Sequence, residues 1–412
     1  MISIIILVLV FVGITLRRFI KVKFEIWQIM SLGAILNLIF FEITPYEAIK
    51  AVDWNVIFFL FCMFSVGALL EISGYLEIFQ NKILLKSKRN IDFSLYLFIF
   101  ISAFLSAFFM NDTIAIIGVP IMISIFKGYN TSPRPFIIAL AFAITIGSVL
   151  SPIGNPQNLI IAITSRMPNP FFVFLKYLFI PTIINLLLLF WIIKYFYKKE
   201  LSNFSQLQIK RTKIKNIWLY YISHLTVALL FALIIIKIYF SINGKEFSLI
   251  YIAVMSSIPA LFLSFKQHKI LKMVDFKTLL FFISMFIVTR SAWNSGYIQK
   301  LILNSNFDFL SLSFIFLSSI ILSQFISNVP LVALYIPIFM SLGAGEKSYI
   351  ALAASSTIAG NLSLLGAASN IIIVQNLENR KYESISSIEF IKIGTITTFL
   401  NALVYYIFIK HL

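Results

Sequence analysis

The chain has 412 residues, of which 60% are hydrophobic and only 12% charged, with a mean hydropathy of +0.96. That balance lies outside the soluble range and excludes a soluble enzyme. A formal net charge of +17 would point to nucleic acid in a soluble domain, but here Lys and Arg lie between apolar runs, so a lipid bilayer and no nucleic acid is the expected partner.

The apolar stretches are continuous, not alternating segments of about ten residues, which makes the spans helices and excludes a barrel. In chain order they fall near 2–16, 25–41, 54–75, 93–110, 112–126, 136–165, 171–193, 218–241, 248–265, 276–297, 309–327, 329–342, 349–377 and 388–409. The first carries Arg17 and Arg18 behind it and lacks a small-residue cleavage site, so it reads as a retained helix. Cys62 is the single cysteine and lies in an apolar run, which excludes an intrachain disulfide and a cysteine-built metal cluster. Three scattered histidines argue against a His-rich site, and His224 at a helix start reads as a solvated side chain.

Alternate gaps between these runs differ sharply in charge. Arg17 to Lys23, Lys82 to Arg89, Lys127 and Arg134, Lys194 to Lys215, Lys266 to Lys277, and Arg380 with Lys381 hold most of the 33 basic residues. The intervening gaps hold Lys50, Arg166, Lys245, Lys300 and Lys347. The positive-inside rule then places both termini outside and makes 198–217 a cytosolic linker between halves 1–197 and 218–412.

The two halves match each other in order and spacing. Asp53 to Tyr75 aligns without a gap on Asp275 to Tyr297, sharing the Asp, Met-Phe and Ser-Gly-Tyr at an offset of 222. MNDTIAIIGVPI from Met110 matches SNVPLVALYIPI from Ser327, with Asn and Pro nine residues apart in both. GNPQN at 154–158 matches GAASN at 366–370, each preceded by a further glycine, Gly147 or Gly360. The charge pattern sends helix 54–75 inward and its partner 276–297 outward, so the repeat is expected to be inverted, the usual build of a secondary transporter.

Two runs per half do not read as plain spans. The 15 apolar residues of 112–126 reach only about 22 Å against a hydrocarbon core of about 30 Å. Residues 93–126 are therefore expected to form a re-entrant hairpin turning at Asn111, and 309–342 one turning at Asn328; two full spans on each side would give the same loop charges. Pro152, Gly154 and Pro156 interrupt the run 136–165, and Gly360 to Gly366 interrupt 349–377. Such breaks are tolerated in a membrane only where buried in protein or lining a cavity. Their half-helix ends present positive N-termini to anions and free carbonyls to Na⁺ or a proton-bearing group. Asn111 with GNPQN, and Asn328 with GAASN, would each form a half-site. The fold class is thus an all-α integral membrane protein of two inverted repeats, about ten full transmembrane helices, two of them broken, plus two hairpins.

These motifs carry a family resemblance that covers essentially the whole chain. It resembles the ion transporter superfamily of arsenite permeases, NhaD-type sodium/proton antiporters, citrate transporters and divalent anion/sodium symporters. MNDTIAIIGVP looks like the arsenite- and anion-permease signature, and SPIGNPQNLI resembles the Thr/Ser-Pro-x-Gly-x-x-x-Asn stretch of the same group. The dicarboxylate symporters carry Ser-Asn-Thr at both tips, where this chain has Asn111-Asp112-Thr113 and Ser327-Asn328-Val329, which favours the arsenite- or anion-permease side. The resemblance implies alternating access, with substrate and coupling ion bound by Asn111, Asp112 and Thr113; Ser151, Gly154, Asn155 and Asn158; Ser327 and Asn328; and Ser363, Gly366, Ser369 and Asn370. Any coupling Na⁺ would lie near Asn111, Gly154, Asn328 and Gly366, and no other cofactor is implied.

Each of these residues has a plainer reading. Asp112 either carries a proton or ligates Na⁺, or it caps the second hairpin helix, and the two roles are compatible. The asparagines could be interhelical glue, although their recurrence in both halves favours function. Arg290, matching Ala68, either meets an anionic substrate or snorkels to headgroups. Ser-Gly-Tyr reads as a helix end, and Pro120 and Pro337 as kinks. The expected function is an ion-coupled secondary transporter of a small anion or oxyanion, arsenite-like or di/tricarboxylate-like. A Na⁺/H⁺ antiporter using Asp112 is the alternative within transport; a membrane enzyme or a channel are alternatives of another class. A homodimer is compatible with the sequence, and a separate ATPase partner is not indicated.

Overall fold

In the computed structural model, residues 2–20, 25–84, 90–165, 167–202, 214, 216–245, 247–305 and 307–412 are described, and every regular element among them is helical. The cytosolic linker expected at 198–217 falls largely outside them, as do Arg166 and most of the basic residues at 21–24 and 85–89. The first half comprises α1 (Ile2–Ile20), α2 (Ile26–Ile39), α3 (Pro45–Ala51), α4 (Trp54–Ser73), α5 (Tyr75–Leu84), α6 (Ile91–Phe109), α7 (Asn111–Tyr129), α8 (Arg134–Val149), α9 (Pro156–Thr164) and α10 (Pro170–Phe196). A short α11 (Lys198–Ser202) leads into the linker. The second half comprises α12 (Ile217–Ile242), α13 (Leu249–Ile258), α14 (Gln267–Met273), α15 (Phe276–Asn294), α16 (Tyr297–Asn304), α17 (Leu312–Ile326), α18 (Asn328–Ser341), α19 (Glu346–Ile358), α20 (Ala368–Asn379) and α21 (Ser387–His411). Ten helices of one half thus correspond in order to ten of the other.

The helices start and stop where local chemistry dictates. Asp53 caps α4 by accepting from the amides of Asn55 and Val56, and Asp275 caps α15 by accepting from that of Thr278, so the repeated aspartate is a repeated N-cap. Ser-Gly-Tyr is a helix end in both copies, with Gly74 and Gly296 at φ +66 and +74°. Seven helices among the described residues are long and apolar enough to cross a membrane, and six more are apolar but shorter. Large apolar side chains such as Leu303, Phe265 and Phe399 lie on the outside, while Asn37, Asn185 and Asn401 are fully buried, a distribution suited to lipid. The chain is a multi-pass integral membrane protein.

The halves exchange partners. α4 packs on α12 and α13 of the second half, and α15 packs on α2 and α1 of the first. Inside this frame α6 lies along α8 and α17 along α19, and α10 crosses α21. The half-helix after each break reaches across: α9 packs on α18, and α20 on α7. Loop contacts also sort by charge. Arg134 pairs with Glu383 at 2.6 Å, Lys194 with Asp92 at 2.5 Å, and Lys277 with Glu25 at 2.6 Å, joining the basic-rich loops to one another. Ser241 donates to the Pro168 carbonyl and Lys347 to that of Lys410, joining the basic-poor ones.

Two expectations are adjusted. α7 runs 19 residues to Tyr129, because Lys127 and Gly128 continue the helix until Asn130 ends it in the left-handed region at φ +52°. The length argument for a short return limb therefore applies to α18, with 14 residues, and not to α7. His224 is exposed but not merely solvated, since its Nδ1 meets the Tyr75 hydroxyl at 2.9 Å.

Candidate functional site: two hairpin tips against two broken helices

Both hairpins turn at a residue with positive φ: Met110 at φ 61°, ψ 138°, and Ser327 at φ 72°, ψ 156°. This region is essentially reserved for glycine, and holding another residue there costs of order 1–3 kcal/mol. The strain recurs at the same point of both motifs, with Asn111 and Asn328 as the first residues of the helices that follow. The first tip is docked directly on the first break, where the Asn111 amide donates to the Gly154 carbonyl at 3.0 Å. Thr113 lies against α4 at Gly67, where an added Cβ would come within 2.9 Å of its Oγ1. At the second tip, the Asn328 side-chain amide faces Gly360, 3.7 Å from where a Cβ there would sit.

The breaks are held open by the same two bonds in each half. Asn158 Nδ2 donates to the carbonyls of Ser148 and Ser151 at 3.1 Å each; Asn370 Nδ2 donates to those of Gly360 at 2.8 Å and Ser363 at 3.2 Å. All three pairs of positions are 212 apart. The carbonyls freed by the interruptions are thus partly plugged by a conserved geometry of the asparagine, not left bare. Glycine is required beside each plug: a Cβ on Gly154 would lie 2.4 Å from the Ser148 carbonyl oxygen, and one on Gly366 2.9 Å from that of Gly360. This register corrects the glycine match read from sequence. Gly360 is the counterpart of Ser148, whereas Gly147 lies one residue earlier and serves close packing of α8 on α6, where a Cβ would meet the Ala103 backbone at 2.2 Å.

Beyond these bonds the half-sites diverge. In the first, Asn155 caps α9 by accepting from the Asn158 amide at 2.9 Å, and the Ser151 hydroxyl accepts from the Ile153 amide. Thr357 of α19 reaches across to join three amide side chains: Asn155 and Gln157 donate to its hydroxyl, which donates to Asn158 Oδ1 at 3.3 Å. Thr357, Gln157 and Ser148 were not among the residues expected from sequence; the 212-residue register, which pairs Thr357 with Thr145, was the signal available. In the second half-site, Ser363 donates to Gln324 Oε1 at 3.1 Å, but Asn328 Oδ1, Asn370 Oδ1, Ser369 Oγ and both amide atoms of Asn361 are buried without a protein partner.

Asp112 sits in the first turn of α7, where the helix dipole favours a negative charge. The amide of Asp112 itself is taken by Asn111 Oδ1 at 3.1 Å, and its carboxylate accepts no bond from the first-turn amides. The N-cap position is Met110, and among the described residues no side chain caps α7.

A cleft of about 700 Å³ opens above the two half-sites, between α4 and α15 on one side and α9 and α18 on the other. Ile160 lines it two residues, about 3 Å of helical rise, beyond Asn158, and Ala333 five residues, about 7–8 Å, beyond Asn328. Lys50, Asp53 and Arg290 stand at its wall.

Paired strained tips facing paired broken helices inside a multi-pass helical frame define a membrane transporter. The solved structures similar to it agree. The Alcanivorax borkumensis YdaH transporter superposes with a TM-score of 0.60 at 12% identity over 88% of this chain and 86% of its own. MtrF of Neisseria gonorrhoeae, titled as one of a class of antimetabolite efflux pumps, gives 0.58 at 12% identity over 91% and 83%. The citrate transporter family profile matches residues 7–349, and the chain belongs to that family. Among relatives, a Dictyostelium discoideum protein given the transporter name arsB is 25% identical across 90% of this chain and 85% of its own. A silicon efflux transporter of Oryza sativa is 32% identical over 33% of this chain and 28% of its own.

Proposed function

We propose that this protein is an ion-coupled secondary transporter of a small anion or oxyanion, built as two inverted repeats, 1–197 and 218–412, that alternate access to a central site. The observation that carries the reading is the pairing of each hairpin tip with a break held open by the same asparagine bonds. Substrate and coupling ion bind between Asn111, Asp112, Thr113 and the 151–158 break on one side, and Asn328 and the 363–370 break on the other. Half-helix N-termini face the anion. The second half-site offers the neutral oxygens of Asn328, Ser369, Asn370 and Asn361, beside the Asn361 Nδ2 donor, and no titratable group among the described residues, so it suits Na⁺ rather than a proton. The first half-site adds Asp112, which carries a second ion, proton or Na⁺. The citrate transporter membership supports a di- or tricarboxylate, and the resemblance of MNDTIAIIGVP to the arsenite- and anion-permease signature supports an oxyanion.

Uptake into proteoliposomes of arsenite, sulfate, citrate and succinate, each with and without Na⁺ and pH gradients, tests this. Gradient-driven accumulation of at least one is expected; accumulation of none, alongside Na⁺-driven proton movement, would leave the antiporter reading in its place. The inverted arrangement puts the basic-rich loops in the cytosol. Cysteines at Ser87 and Ser205, which lie outside the described residues, should be labelled from the cytosolic side and one at Asn304 from outside; labelling of all three from one side would sink it.

A further inference from the structure

The cleft above the half-sites carries charge that the central site does not use. Arg290 lies one turn from the end of α15, exposed, and Lys50 lies at the end of α3 with its ammonium 4.3 Å over the Tyr46 ring. Two carboxylates are nearby, each using one oxygen in a helix cap and still charged, and Glu47 lies within electrostatic range of Arg290. Glu47 is folded into the capping box of α3, accepting from the amide and hydroxyl of Thr44 at 2.9 and 2.8 Å, and Asp53 Oδ1 accepts from the first amides of α4. Arg290 forms no ion pair with either, nor with any other described carboxylate within 4.0 Å. It lines the cleft together with Trp54 and Trp293, and a guanidinium carries five donors.

We propose that Arg290 and Lys50 form an anion-capture site at the mouth of this cleft, selective for polyatomic anions with two or more oxygens, such as a carboxylate. The planar guanidinium matches two oxygens of such a group bidentately, and Lys50, on α3 packed against α15, adds a second positive charge. Asp53 in the same wall and Glu47 beside it keep their negative charges, so the anion is held by the unfilled guanidinium donors and the ammonium rather than by an excess of positive charge over the whole cleft. The captured anion then shares a cleft with α9 and α18, the helices that begin near Asn158 and at Asn328. The device is one-sided. At the corresponding positions of α4 the chain carries Ala68 and Glu71 where α15 carries Arg290 and Trp293, so the guanidinium has no counterpart in the other repeat, although Lys50 has one in Lys272. This inference rests on the anion reading for its role in transport, but not for its existence.

The test reads the cleft optically in the full-length protein. Of the five tryptophans, Trp27, Trp191 and Trp218 are replaced by Phe, leaving Trp54 and Trp293 as reporters. Iodide and neutral acrylamide are compared as quenchers, with citrate as competitor. Arg290→Gln combined with Lys50→Gln should lower iodide quenching about two- to threefold, since the local anion excess is lost, and leave acrylamide quenching unchanged. Citrate should protect against iodide in the parent and not in the double variant, and Arg290→Lys should retain most of the iodide effect. Iodide quenching equal in parent and double variant, with acrylamide also equal, overturns the proposal. For any anion found to be transported, Arg290→Gln should raise KM about tenfold with kcat nearly unchanged; an unchanged KM removes the site from the transport path. If no anion is transported, the anion reading fails by itself, and the quenching comparison still decides whether the cleft captures anions.

Discussion

The two half-sites share their scaffolding and differ in what they leave unfinished. Each has a tip strained at one residue and a break plugged by one asparagine with the same two bonds. The first is then closed by its own protein: Asn111 is bonded to Gly154, and Thr357 gathers Asn155, Gln157 and Asn158. The second keeps Asn328 Oδ1, Asn370 Oδ1 and Ser369 Oγ buried and unpartnered. A buried polar group without a partner costs about 1–3 kcal/mol, and three or more in one place is an arrangement that a bound cation relieves. In the proposed reading one half-site is preorganised and bears a carboxylate, while the other gains stability from the cation it binds.

The largest effects are expected at the tips. Asn111→Ala and Asn328→Ala should each abolish transport while the protein remains inserted and folded, because each removes a polar group without opening a large void; near-normal uptake in both would demote them to packing. Asp112→Asn comes next. It keeps size but cannot carry charge, so gradient-driven accumulation should be lost while exchange down a gradient persists; full accumulation would remove Asp112 from coupling.

Stability then separates the halves. Asn158→Ala removes bonds to the carbonyls of Ser148, Val149 and Ser151 and one from Thr357, and should destabilise by about 2–4 kcal/mol, measured by melting in detergent. Asn370→Ala loses two bonds but also removes an unpartnered oxygen, so about half that cost is expected; an equal or larger loss at Asn370 would break the contrast. The smallest change, Thr357→Val, should cost about 1–2 kcal/mol and leave any Na⁺ response intact, since it touches only the first half-site.

Much of this was legible in the residues. The hairpin tips, the breaks and their pairing follow from Asn-Pro spacing and from proline and glycine inside long apolar runs. The repeated aspartate and Ser-Gly-Tyr, as cap and helix end, follow from local backbone chemistry. What was hidden is tertiary. Thr357 lies about 200 residues from the amides it joins, and hydrogen-bond satisfaction cannot be read from a motif that is identical in form on both sides. The register of Gly360 against Ser148 emerged only from the Asn370 and Asn158 bonds. The extent of α7 was misjudged because Lys127 ends the apolar run without ending the helix. Arg290 was visible as a charge in a span, but that it forms no close ion pair with Glu47 or Asp53 depends on how those two cap their helices.

Sodium-dependent thermal stability tests the contrast between the half-sites most directly. Exchanging choline for Na⁺ at about 100 times the dissociation constant should stabilise the wild-type protein by about 2.7 kcal/mol. The same gain should persist in Thr357→Val and vanish in Asn328→Ala. A sodium response in Asn328→Ala equal to that of the wild type, or no response in the wild type, would contradict the assignment of the cation to the second half-site.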